Sequence, residues 1–150
     1  IREVLSVHLG LEGEVAEKRI SELLEEVELP ASIASRYPHE LSGGQKQRAA
    51  IALALSCDPR LILADEPTTA LDVVTQAAIL KLWERLRREE SLTVMLVTHD
   101  LPVAASSCDK LFVMKDGELI ESGTPKELLE SPRAEHTKAL ISAMLNKDLG

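Results

Sequence analysis

At 150 residues the chain is long enough for one domain, and a domain of that size buries roughly 68–70% of the surface its unfolded form exposes. A formal net charge of −8, with basic residues scattered or in short clusters such as Arg85, Arg87 and Arg88, argues against nucleic acid as a partner, because nonspecific binding rests on a basic stripe. The 2% aromatic content argues against base-stacking platforms as well.

The spacing of apolar residues predicts a helix over Glu14–Leu29, with Val15, Ile20, Leu23, Leu24 and Val27 on its inward face and Pro30 ending it. A looser segment, "PASIASRYPHE", leads to "ELSGGQKQRAAIALAL", in which an alanine-rich helix is expected from Gln45 to about Ser56. Cys57 lies just beyond it; with the distant Cys108 it has no metal-ligand spacing, and both read as reduced thiols. Asp58–Arg60 reads as a turn. Leu61–Asp65, "LILAD", reads as a buried strand ending in acids, and Val73–Arg88 as a second amphipathic helix with Val73, Ala77, Leu80, Trp83 and Leu86 inward. Leu92–Val97 is a further apolar strand, and strand, helix, strand in this order suggests a right-handed crossover into a parallel sheet. "KLFVMKDGELIES" predicts a hairpin turning at Asp116-Gly117. Thr124, Pro125 and Glu127 predict a capped helix start, and a last helix is expected over Thr137–Leu145. No apolar run reaches the ~18 residues needed to cross a bilayer. The fold class is α/β, with a helical portion in front.

Three constellations carry chemistry. Asp65 and Glu66 end a strand where open α/β sheets bind ligands. An aspartate there suits magnesium, a hard ion that wants oxygen ligands and keeps its waters, and the next glutamate can take a proton from an attacking water. A solvated acidic turn is the competing reading. His99, after the next strand, is expected at the same sheet edge as Glu66, where an imidazole can donate to a phosphate; alone it would read as structural. Ser42 can cap a helix whose N-terminus, behind Gly43 and Gly44, forms an anion site open to close approach. A glycine-containing cap without a ligand accounts for the same residues, and they leave both readings open.

"LSGGQ" (Leu41–Gln45), "LILADEP" (Leu61–Pro67), "TALD" (Thr69–Asp72) and "VTH" (Val97–His99) together resemble the signature motif, Walker B segment, D-loop and H-loop of ABC-type ATPase domains, in that family's order and spacing. The resemblance runs over essentially the whole chain. It implies a P-loop NTPase-type partial domain: a helical signature subdomain over 1–57, the second half of the parallel-sheet core with a β-hairpin over 58–123, and C-terminal helices over 124–150. It implies ATP and Mg2+ as cofactors, with Asp65 serving the metal, Glu66 as general base and His99 as γ-phosphate sensor. Asp72 would couple two sites across a dimer interface. Ser42, Gly43, Gly44 and Gln45 would contact the γ-phosphate of a nucleotide held by a second ATP-binding subunit in a head-to-tail dimer.

Within the family, "YPHELSGGQ", "ADEPTTALDVVTQAAIL" and the tail "SPRAEHTKALISAML" resemble the ATP-binding subunits of oligopeptide, dipeptide and nickel importers, although His136 stands where those subunits carry an aromatic residue. The implied function is energy coupling for solute uptake, peptide or nickel, on membrane permease subunits at the cytoplasmic face of the cell membrane. A soluble ABC-type ATPase without a permease and a non-catalytic interaction fragment are the alternatives. The sequence contains no G-x-x-x-x-G-K-[ST] cradle and no glutamine loop before the signature. The chain is therefore expected to be a piece starting just after that loop, and to be inactive by itself.

Overall fold

The computed structural model describes residues 1–89 and 91–147. Two compact units divide the chain, Ile1–Met95 and a second from Leu96 onward.

The first unit opens with helix α1 (Arg2–Leu9), which the sequence analysis did not anticipate; Gly10, left-handed at φ +65°, closes it. Helix α2 (Gly13–Glu26) follows. It stops before Pro30 because Glu28 turns left-handed at φ +57°, so that Glu28 N–H donates to Glu25 C=O at 2.9 Å and Leu29 N–H to Leu24 C=O at 2.8 Å. This is a Schellman closure with glutamate where glycine usually stands. Val15, expected inward, is 60% exposed, while Ala16, Ile20, Leu23, Leu24 and Val27 are buried. Short 3-10 turns at Ala31–Ser35 and Pro38–Glu40 lead to α3 (Gly43–Leu55). Both glycines are therefore inside the helix, two residues earlier than the expected start.

Strand β1 (Leu61–Asp65) is buried on one face only: Ile62 and Ala64 are covered, whereas Leu61 and Leu63 are exposed. The expectation of a strand buried on both faces is corrected, since the face carrying Leu61 and Leu63 has no covering layer among the described residues. Helix α4 (Val73–Glu89) buries Ile79, Leu82, Trp83 and Leu86. Of its expected stripe, Trp83 and Leu86 are buried and Leu80 half-buried, but Val73 and Ala77 are exposed. The helix is apolar on more than one side, so its buried face lies about 100°, one residue step, from the face that periodicity selects. In the order α1, α2, α3, α4 each helix packs on the next. Strand β2 (Thr93–Val97) is the hydrogen-bonded neighbour of β1 in a two-stranded sheet, with α4 as the sequence connection.

In the second unit, α5 (Leu101–Ser107) was also not anticipated; Asp100 caps it. Strands β3 (Leu111–Lys115) and β4 (Glu118–Gly123) pair antiparallel around Asp116 (φ +51°) and Gly117 (φ +82°). Positive φ at both central residues matches the twist of the strands, as the Asp-Gly pair predicts. Helix α6 (Pro125–Glu130) starts on the expected Thr124–Glu127 capping box, and α7 (Glu135–Lys147) begins two residues before the expected start. Leu111, Val113 and Leu128 form the small core, with Leu101, Ala104, Ala105 and Cys108 against it. Among the described residues no helix is long and apolar enough to cross a membrane.

Candidate nucleotide-binding and dimer-facing site

Ser42 is extended (φ −65°, ψ 164°) and caps α3. Its Oγ accepts from Gln45 N–H at 3.3 Å, and Gln45 Oε1 accepts in return from Ser42 N–H at 3.0 Å. The glutamine thus completes a capping box, a structural task that the sequence analysis did not assign to it. Gly43 and Gly44 occupy the first turn, whose N–H groups lack intrahelical acceptors and sit at the positive end of the helix dipole. The same glycines meet the segment after β1. A Cβ added at Gly43 would lie 3.3 Å from Leu71 Cδ2, and one at Gly44 2.7 Å from Thr75 Cγ2. The absence of side chains here admits a neighbouring segment of the same chain.

That segment is tightly turned. Asp65 ends β1 with an exposed side chain, and Glu66 turns left-handed at φ +46°. Thr69 Oγ1 donates to Glu66 Oε2 at 2.7 Å, and Thr69 N–H to Glu66 C=O at 3.1 Å. Ala70 is left-handed as well, at φ +64°. Asp72 then acts as N-cap of α4: Oδ1 accepts from Thr75 N–H at 2.9 Å and Oδ2 from Thr75 Oγ1 at 2.6 Å. These two bonds, the hydroxyl one first, hold the Asp72 carboxyl below the usual aspartate range. A depressed folded-state value means that the cap's contribution is full above the unfolded-state value and is lost as pH falls through the folded one. An NMR titration of the Asp72 carboxyl carbon is expected to give a midpoint below that of a free aspartate. Thr75→Val should move it upward; a midpoint unmoved by that change would contradict the assignment.

His99 belongs to the second unit, exposed between β2 and α5. Next to it Asp100 N–H donates to Thr98 Oγ1 at 3.0 Å, and Asp100 Oδ1 accepts from Val103 N–H at 3.1 Å. The first unit therefore brings together Gly43, Gly44, Leu71, Asp72 and Thr75, and by sequence continuity places Asp65 and Glu66 just before them. Sequence reasoning missed Thr75 and Thr69. An aspartate followed three residues later by a threonine was the available signal for the first, as an N-cap. As an exposed oxygen donor at a strand end, the Asp65 carboxylate fits magnesium, which takes one or two protein carboxylates beside phosphate and water.

Known proteins resemble this chain over most of its length. Residues 2–69 match the family model described as "ABC transporter". The glutathione import ATP-binding protein GsiA of Escherichia coli (strain K12) is 44% identical over 146 residues, covering 96% of this chain and 23% of that protein. A Brucella melitensis protein whose name proposes it as a peptide import ATP-binding protein is 43% identical over 150 residues, covering 99% of this chain and 45% of that one. The chain thus spans less than half the length of these relatives. Among solved structures, cbiO1 from Clostridium perfringens, part of the ABC transporter complex cbiONQ, superposes with a TM-score of 0.76 at 33% identity, over 87% of this chain and 51% of that one. The ATP-binding cassette MJ0796, dimeric in a post-hydrolysis state with ADP and Pi, gives 0.66 at 43% identity, over 77% and 49%. With this similarity over nearly its whole length, the chain is similar to the ATPases of ABC transporters and folds as part of their α/β domain.

Proposed function

We propose that this chain is the signature-bearing part of the ATP-binding subunit of an ABC importer, and that the whole protein couples ATP hydrolysis to uptake of a peptide-class solute. The observation that carries the reading is the direct seating of Gly43 and Gly44 on Leu71 and Thr75, which presents the α3 N-terminus and the Asp72 turn side by side. The solute class is supported by the relatives, named for glutathione and peptide import. In this reading Ser42, Gly43, Gly44 and Gln45 offer helix-start donors to the γ-phosphate of a nucleotide held by a second ATP-binding subunit, and Asp72 faces that subunit. A dimeric ATP-binding cassette among the similar structures supports the pairing. Glu66 takes the proton of the attacking water and His99 donates to the terminal phosphate. Asp65 would hold magnesium, which supplies neutralisation of phosphate charge when bound. The subunit would sit on membrane permease subunits at the cytoplasmic face.

The phosphate cradle with its lysine does not occur in these 150 residues. The chain by itself is therefore expected to show no micromolar affinity for ATP with magnesium in isothermal titration; micromolar binding would contradict this assignment of the missing cradle. The function itself is tested on the full-length protein with its permease in vesicles. ATP turnover that rises when the solute is delivered supports the importer reading. Turnover indifferent to the permease would favour a soluble ATPase, and none at all a non-catalytic module.

A further inference from the structure

The paired glycines and Asp72 belong to motifs assigned to different tasks, yet in this chain one side chain touches both. At 2.7 Å, the separation of a Gly44 Cβ from Thr75 Cγ2 would be far below the ~3.5–4.0 Å of a carbon–carbon contact. The methyl is not at liberty to swing aside. Thr75 is β-branched, so turning χ1 to move Cγ2 also moves Oγ1, which donates to Asp72 Oδ2 at 2.6 Å. Thr75 N–H donates to Asp72 Oδ1 at 2.9 Å, fixing the backbone beneath it. Anything that displaces the methyl therefore breaks the cap that orients Asp72.

We infer that Thr75 is a positioning residue that ties Gly44 of the signature helix to Asp72 within one chain, so that the phosphate-facing helix start and the dimer-facing carboxylate move as one piece. The contact stands on the geometry alone; its bearing on catalysis rests on the ATPase reading above.

The test is a cycle of four full-length proteins: parent, Gly44→Ala, Thr75→Ser and the double variant, read by amide hydrogen exchange at Thr75 and by ATP turnover. Serine keeps the hydroxyl that Asp72 accepts and lacks the methyl that alanine would strike. Gly44→Ala is expected to speed exchange at Thr75 about tenfold or more, the range of an overpacked contact. The double variant should return to within about twofold of Thr75→Ser, a coupling that independent sites do not show. Parent-like exchange in Gly44→Ala overturns the inference, as does a double variant no better than Gly44→Ala. Should Gly44→Ala fail to fold, recovery of folding in the double variant supports the contact and failure of both overturns it. Turnover should fall and recover in the same order; turnover that stays low while exchange recovers overturns the coupling of the two motifs. A parent without turnover defeats the ATPase reading, while the exchange cycle still decides the contact.

Discussion

Replacing Glu66 by glutamine in the full-length protein is expected to lower ATP turnover by roughly 10²–10⁴-fold, the usual loss on removing a positioned general base, while ATP binding is retained. The local structure makes the substitution clean. Glu66 holds a left-handed backbone at φ +46°, and glutamine bears the same strain there as glutamate, so the turn gains no reason to relax. The Thr69 hydroxyl, which donates to Glu66 Oε2 at 2.7 Å, can donate equally to the amide oxygen of glutamine. What disappears is the carboxylate's ability to take a proton. Thermal unfolding should therefore move little, within the ~0.5 kcal/mol typical of surface changes. Single-turnover and nucleotide-binding measurements decide between roles: equal losses of binding and turnover would mean that Glu66 builds the turn rather than serving the chemistry.

How much of this was legible in the sequence differs by element for physical reasons. The hairpin was, because Asp116-Gly117 states its own turn type. The capped start of α6 was, because Thr124, Pro125 and Glu127 sit at fixed offsets. The end of α2 was misplaced because Pro30 is the conspicuous breaker, whereas the residue that turns the chain is Glu28, a type with no left-handed preference. Helix α5 starts on ordinary signals, Asp100 and Pro102, but at seven residues it is too short for an apolar period to show. The phase of α4 failed because Val73 and Val74, both exposed, are as apolar as the residues it buries. For the site, motif order nominates Ser42 to Gln45, Asp65, Glu66, Asp72 and His99. No local pattern announces that the Thr75 methyl fills the space beside Gly44, since that contact joins two helices brought together only by the tertiary fold.

The second large effect is on stability, at the end of α2. The closing turn leaves the carbonyls of Glu26 and Val27 pointing out of the helix, and arginines from the two following helices take them. Arg48 of α3 donates to Val27 C=O at 2.8 Å and pairs with Glu28 Oε2 at 2.7 Å, while Arg85 of α4 donates to Glu26 C=O. Glu28 Oε1 lies 3.6 Å from Arg85. Two accounts of this joint are possible, and their magnitudes separate them. The Glu28 side chain is 54% exposed and that of Arg48 16%, so the ion pair is largely screened and is worth at most about 1 kcal/mol. A hydrogen bond from a charged donor to a part-buried carbonyl is worth about 1.5–3 kcal/mol, and its loss leaves the carbonyl underpaired. Arg48→Met, which keeps the length of the stem, is therefore expected to cost about 2 kcal/mol and to lower the urea midpoint by about 1 M. Glu28→Gln should cost less than about half of that. Glu28→Gly should come out near neutral, because relief of the left-handed strain, about 1–2 kcal/mol, offsets the lost pair. Equal losses for Arg48→Met and Glu28→Gln would show instead that the carboxylate, not the helix-end carbonyl, holds α3 to α2.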